Sequence, residues 1–266
     1  MALVSVRNLE MRFGERLIQR DISFDVEPGR IFVVMGGSGC GKSTLLKHMI
    51  GLIEPAAGSV SYDGRDYWQA DGAGRMQLRE NFGVLFQGAA LWSSMTLLEN
   101  VCVPLERKGR LDRAAREEKA RELLDLVGLG RFADFFPADI SGGMKKRAGL
   151  ARAIAGEPRL LFLDEPSAGL DPISSKRLDD LILELRDRTG AAVVMVTHEL
   201  PSIFAIADDG IFLDADSKHP IAHGNPRTLR DRCQHPTVRA FLRREALADA
   251  EASEARIAPP NRKDSA

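Results

Sequence analysis
The chain has 266 residues, 44% of them hydrophobic, with 37 basic against 38 acidic side chains and a formal net charge of -1. This length supports one large domain or two modest ones with a sizeable core, and the balanced charge gives no global field that would favour nucleic acid or an anionic membrane. The three scattered cysteines, Cys40, Cys102 and Cys233, suit free thiols in a reducing compartment better than a disulfide framework, and no run reaches the roughly 18 apolar residues of a spanning helix.

The N-terminus has no basic start followed by an apolar run, so the expectation is a chain that is neither exported nor membrane-spanning by itself. The first short apolar run, "RIFVVM" from Arg30, has the β-branched content of a strand buried on both faces. It leads into "GGSGCGKST", Gly36, Gly37, Ser38, Gly39, Cys40, Gly41, Lys42, Ser43 and Thr44, and then a helical pattern, in which Gly36, Gly41, Lys42 and Ser43 fit G-x-x-x-x-G-K-[ST]. Glycines let the backbone curl so that its N-H groups face a phosphate, and the helix N-terminus adds positive potential. Lys42 is placed to reach β and γ oxygens, and the Ser43 hydroxyl to ligate magnesium. A dinucleotide fingerprint fails here because Lys42 stands where its third glycine would be. Cys40 reads either as a small filler or as an accessible thiol near a positive helix end, with a lowered pKa and an alkylation from which ATP protects.

A second short run, "GVLF" from Gly83, is followed from Leu97 to about Gly156 by helix signals without a convincing strand. In "AAREEKARELLDLVGLG" the residues Ala120, Leu123, Leu124 and Val127 make one apolar stripe, and the alternating charges read as its solvated face. The segment therefore reads as a helical insertion in an α/β core. At its end lies "ISGGMKKR", in which Ser141 can cap the helix that continues through "AGLARAIAG".

Next comes "RLLFLDEP", an apolar strand that delivers Asp164 and Glu165 at its C-terminal end, where ligands of open parallel sheets gather. Beside a phosphate loop, Asp164 can hold magnesium through water and Glu165 can polarise an attacking water as general base. The helical pattern "SSKRLDDLILELRDRTG" follows, with Leu178, Leu181, Ile182 and Leu185 at helical spacing and Gly190 as its stop. The run "AVVMVT" from Ala192 ends at His198, whose imidazole can donate to a γ-phosphate oxygen at the same sheet edge. The remaining histidines, His48, His219, His223 and His235, show no metal-ligand spacing. After "GIFLD" from Gly210 the pattern predicts a final helix in "PTVRAFLRREALADA", and the stretch 244–266, free of aromatics, reads as a disordered tail. Alternating short strands and helices argue for a parallel α/β core.

With these residues in hand the sequence resembles the ATP-binding subunit of ATP-binding cassette (ABC) transporters over about residues 3–243. Six ordered motifs carry the likeness: "GGSGCGKST", "LFQ", "ISGGM", "LLFLDEP", "SAGLD" and "VTHE". The resemblance implies an α/β fold, a P-loop NTPase core with a mainly parallel sheet, an N-terminal antiparallel β-subdomain and a helical subdomain inserted at about 89–156. It implies ATP and Mg2+ as cofactors, with Phe13 stacked on adenine and Gln87 reaching the metal and the lytic water. It also implies a head-to-tail dimer with a second copy of the chain. There Ser141, Gly142 and Gly143 of one subunit donate to the γ-phosphate held by the other, and Asp171 crosses the same interface. Met144 stands where the family commonly has glutamine, so that side chain's contact is unsupported.

The expected partners are transmembrane permease subunits, with the chain peripheral at the cytoplasmic face of the cell membrane. "ALWSSMTLLENV", just after Gln87, either docks the permease or packs internally. The motif wording is more similar to ATPases of Mla-type systems than to amino-acid or sugar importers, which implies transport of phospholipids or related hydrophobic compounds and an Mce-domain partner, and leaves open whether a small accessory subunit attaches. An importer ATPase for another solute, and a soluble ABC ATPase of DNA repair or translation, are the alternatives. A P-loop kinase or GTPase leaves the "ISGGM" and "SAGLD" motifs unexplained.

Overall fold
A computed structural model describes residues 2–109 and 111–245. The part of the expected tail beyond Glu245 lies outside the described residues.

Two sheets share the chain. The first, antiparallel throughout, has the order β2-β1-β4-β5, from β1 (Val4–Phe13), β2 (Arg16–Val26), β4 (Ala57–Tyr62) and β5 (Arg65–Asp66). The second has the order β10-β9-β3-β8-β7-β6. It comprises β3 (Ile31–Met35), β6 (Phe82–Leu85), β7 (Leu160–Asp164), β8 (Ala192–Val196) and β9 (Asp209–Leu213), all parallel, with β10 (Pro220–His223) antiparallel at one edge.

The central strands are buried on both faces, which is why they read as continuous apolar runs. Their side chains still alternate between two cores. Phe32 and Val34 of β3, Leu160 and Phe162 of β7, and Val194 and Val196 of β8 face a core shared with the antiparallel sheet. Ile31 and Val33, Leu161 and Leu163, and Val193 and Met195 face the other core, shared with the helices. Phe24 of β2 stacks on Phe32 with ring centroids 4.5 Å apart and planes 12° from parallel, holding the two sheets together.

Helix α1 (Lys42–Met49) follows β3 directly, and α2 (Gly72–Arg79) precedes β6. Between β6 and β7 the chain forms α3 (Leu97–Lys108), α4 (Arg113–Leu126) and α5 (Gly142–Ala155) with two short 3-10 turns, and no strand among the described residues. The expected helical insertion is therefore present. Thr96 and Glu99 form a reciprocal capping box that starts α3. The side chains of Ala120 and Leu124 in α4, and of Val127 just after it, are buried, while Arg113 pairs with Glu117 and Lys119 with Glu122 on the solvated face.

After β7 come α6 (Pro172–Thr189), α7 (Leu200–Ile206), α8 (Pro226–Arg232) and α9 (Pro236–Arg243). Gly190 ends α6 in the left-handed conformation, as its position predicts. Helix α9 stops at Arg244, itself left-handed, and so is shorter than the pattern in "PTVRAFLRREALADA" predicts. Among the described residues no helix is long and apolar enough to cross a membrane.

Candidate functional site
Parallel strands place their C-terminal ends along one edge, and four of the expected motifs meet there. Leu85 of β6 pairs with Leu163 of β7, Asp164 with Val196 of β8, and Val196 with Val34 of β3. The segments that leave these strands carry Gln87, Asp164 with Glu165, His198, and the loop Gly36 to Gly41.

That loop has a backbone only glycine can follow. Gly36 has φ 140°, and a Cβ there would sit 2.3 Å from the Leu213 carbonyl oxygen and 2.7 Å from Cys40 Sγ. Gly41, at φ 104°, opens α1. Buried Gln19 of β2 braces the loop from below, its amide donating to the Cys40 carbonyl at 2.9 Å. Lys42 Nζ lies along the loop and donates to the carbonyls of Gly36 at 2.8 Å and Gly37 at 2.9 Å. One residue on, Ser43 Oγ donates to Asp164 Oδ1 at 3.0 Å, joining α1 to the end of β7. Burial pushes the Asp164 carboxyl above its ordinary value, and the Ser43 hydrogen bond pulls it back.

Cys40 corrects one expectation. Its side chain is 1% exposed, wedged under Gly36, and burial raises its thiol although Lys42 draws it the other way. It is the small filler of the loop, not an accessible low-pKa thiol.

Glu165 sits beyond β7 with φ 48°, a left-handed conformation that non-glycine residues seldom adopt. Its N-H donates to the Val196 carbonyl at 2.8 Å and its Oε1 pairs with His198 Nδ1 at 2.8 Å. Its Oε2 is buried and finds no partner among the described residues. Gln87 is exposed on the neighbouring loop, where Ala89 and Ala90 are both left-handed. Arg152 of α5 holds that loop, donating to the carbonyls of Ala89 at 2.9 Å and Ala90 at 2.6 Å with its guanidinium 5.6 Å from the Trp92 ring centroid. Of the segment after Gln87, Leu97 and Asn100 are buried, which is the internal packing expected for it, while Trp92 is exposed.

Phe13 is 54% exposed at the end of β1, a surface aromatic rather than a core one. Ser141 caps α5 by accepting from the Met144 N-H at 3.3 Å. Met144 packs its side chain against the core shared with the helices, which accounts for an apolar residue at that position. A Cβ on Gly142 would meet nothing within 4 Å. Asp171 caps α6, its Oδ1 accepting from the N-H groups of Ile173 and Ser174 at 3.0 Å each.

Two arrangements at this edge escape sequence reasoning. Lys146 of α5 is 8% exposed and donates to the carbonyls of Glu165, at 3.1 Å, and Ala168. Burial lowers its pKa, while the nearby charges of Glu165 and Glu199 raise it. Buried Asp179 of α6 accepts from Ser202 Oγ of α7 at 2.8 Å, and Ser202 Oγ lies 3.4 Å from Ser167 Oγ. Burial pushes the Asp179 carboxyl up to about 6, against the pull of that hydrogen bond. Only the pairing of three elements reveals these contacts, and no spacing along the chain encodes them.

The family model described as ABC transporter matches residues 19–168. The chain is 38% identical over 247 residues to the intermembrane phospholipid transport system ATP-binding protein MlaF of Escherichia coli, covering 93% of this chain and 90% of that protein. It is equally 38% identical to the probable ribonucleotide transport ATP-binding protein mkl of Mycobacterium leprae, over 90% of this chain but 68% of that longer protein. Among solved structures, the dimeric post-hydrolysis state of the ATP-binding cassette MJ0796 bound to ADP and phosphate superposes with a TM-score of 0.76. It is 29% identical, covering 83% of this chain and 97% of that one. The phosphate-type loop and the two carboxylates of this parallel edge lie within the stretch that the family model matches, more than half the chain, and His198 lies beyond it. The chain belongs to the ABC transporter family, as an ATP-hydrolysing subunit.

Proposed function
We propose that residues 3–243 act as one nucleotide-binding domain in which Glu165 is the general base for ATP hydrolysis. The observation that carries this is the buried Glu165 Oε2, which has no partner among the described residues while Oε1 is held by His198. One oxygen is fixed and the other is left to take a proton from water.

The loop Gly36 to Gly41 and the start of α1, through Lys42, Ser43 and Thr44, receive the phosphates, and exposed Phe13 offers a stacking face to adenine. His198 donates to the γ-phosphate, and Gln87 reaches in from its loop. The donor set fits magnesium: Ser43 Oγ and the Asp164 carboxylate are hard oxygens held 3.0 Å apart, and Gln87 supplies a further amide oxygen. Bound there, the ion would neutralise charge on the β and γ oxygens.

Ser141, Gly142 and Gly143 complete the site of a second copy. Among the described residues a side chain at 142 would meet open space, so a glycine there leaves room for close approach of a ligand outside the chain. Asp171 faces the same partner. ATP then closes two copies head to tail, and hydrolysis opens them, driving an attached permease at the cytoplasmic face of the membrane.

The cargo is a phospholipid or related hydrophobic compound, delivered through a permease and an Mce-domain protein. Two features support this: the motif wording and the end-to-end match to the E. coli phospholipid system. A solute importer is the second reading, favoured by 38% identity over 222 residues to the methionine import ATP-binding protein MetN of Rhizobium meliloti. Purification of the chain with its membrane partner, followed by lipid identification, decides between them. Retained phospholipid supports the first reading, and a polar solute with no lipid supports the second. For the ATPase cycle, Glu165→Gln is expected to bind ATP and accumulate closed dimers, and an assembly that stays open with ATP would refute it.

A further inference from the structure
The signature helix α5 does more than present Ser141. One turn into it, Lys146 turns back into its own subunit and is almost wholly buried, and the hydrogen bonds of its ammonium among the described residues go to backbone carbonyls, those of Glu165 and Ala168. A buried cation is costly unless acceptors meet it, so this lysine is held in one geometry. What it holds is unusual. Glu165 is in the left-handed region, a conformation that persists only where the surroundings over-determine it. From the β8 side Val196 fixes its N-H and His198 fixes its Oε1. From the helical side Lys146 fixes its carbonyl, and through Ala168 the turn that follows.

We infer that Lys146 is a positioning residue for Glu165. It clamps the Glu165 to Ala168 turn so that the carboxylate keeps its free oxygen aimed at the lytic water. It also ties this base to the helix whose first residues serve the other copy's ATP. The inference rests on the reading of Glu165 as general base. Because Lys146 spends its donors on the backbone carbonyls of its own subunit, its loss is expected to misplace the base while the phosphate loop and Lys42 stay in place.

The test is steady-state ATP hydrolysis by the full chain assembled with its membrane partner, for Lys146→Met, Lys146→Arg and Glu165→Gln beside the unaltered protein. Methionine keeps the apolar stem and removes the donors, and arginine restores them. Lys146→Met is expected to lower kcat by about 10- to 100-fold with the KM for ATP within about two-fold, and Lys146→Arg to recover most of that loss. An unchanged kcat in Lys146→Met, a KM that rises as kcat falls, or an arginine variant as impaired as the methionine one overturns the inference. Where Lys146→Met does not fold, Lys146→Gln decides: an intermediate kcat at unchanged KM supports the clamp, and a full kcat overturns it. If Glu165→Gln still hydrolyses ATP, the reading of the base itself fails. If Glu165→Gln is inactive while Lys146→Met is normal, only the role of Lys146 fails.

Discussion

His198 Nδ1 lies 2.8 Å from Glu165 Oε1, joining the ends of two adjacent parallel strands across 33 residues of sequence. The imidazole immobilises one carboxylate oxygen, while its side chain stays 56% exposed and its Nε2 lies 3.7 Å from Glu199 Oε1. His198→Ala should therefore keep affinity for ADP, which lacks the γ-phosphate, since the loop and Lys42 are untouched, while lowering kcat by about 100-fold or more. Equilibrium ADP binding beside steady-state hydrolysis checks this, and a loss of binding equal to the loss of rate would contradict it.

Gly36 and Gly142 separate the demands of the fold from those of the proposed second subunit. Gly36→Ala forces a Cβ to within 2.3 Å of the Leu213 carbonyl oxygen at a φ of 140°, so the variant should lose thermal stability and nucleotide binding together. Gly142→Ala meets open space and should keep its Tm and its nucleotide affinity as a monomer. Only its ATP-driven dimer should suffer. Light scattering with and without ATP, in the Glu165→Gln background, reads this directly.

Cys40 is expected to resist alkylation in the native protein. It is 1% exposed with a raised thiol, whereas Cys102 and Cys233 are partly exposed. Peptide mapping after brief treatment with a maleimide should find label at Cys233 or Cys102 first, and at Cys40 only after denaturant. Fast labelling of Cys40 that ATP suppresses would restore the accessible-thiol expectation.

Asp179 makes stability depend on pH with a definite sign. Its folded carboxyl titrates at about 6 against an ordinary 3.8, so the native state holds a proton through a window in which the unfolded chain has lost it. The stabilisation is complete below pH 3.8 and is lost as pH rises through about 6, a swing of about 3 kcal/mol. Asp179→Asn cannot ionise, so its Tm relative to the unaltered protein should rise from pH 4.5 to pH 7.5. Parallel melting curves with pH would show that the carboxyl is not titrating inside the fold.

The sequence makes the central strands and the phosphate loop legible because each is local. Five apolar runs become β3, β6, β7, β8 and β9, and the spacing from Gly36 to Ser43 specifies a loop and helix start by itself. Strands β1 and β2 are different. Their residues carry breaks in register around Leu9 and Met11, which blur the alternation, and only the family likeness implies the antiparallel sheet. At the site, Asp164, Glu165 and His198 announce themselves as polar residues ending apolar strands. Lys146 does not, because beside Lys145 and Arg147 it looks like one more solvated cation. Its burial follows from the packing of α5 against the turn after β7, a contact between distant segments. Asp179 is hidden in the same way, next to the exposed Asp180 that pairs with Lys176.

Arg152 gives α5 a mechanical meaning. A 14-residue helix is a rod about 20 Å long. Near one end it carries Ser141, and near the other its guanidinium grips the two left-handed alanines that follow Gln87. A tilt of a few degrees, with one end held, moves the other by about 1 to 2 Å. If Ser141 captures a phosphate as proposed, the capture would be felt as a pull on the loop beside exposed Trp92, with no further moving part between them.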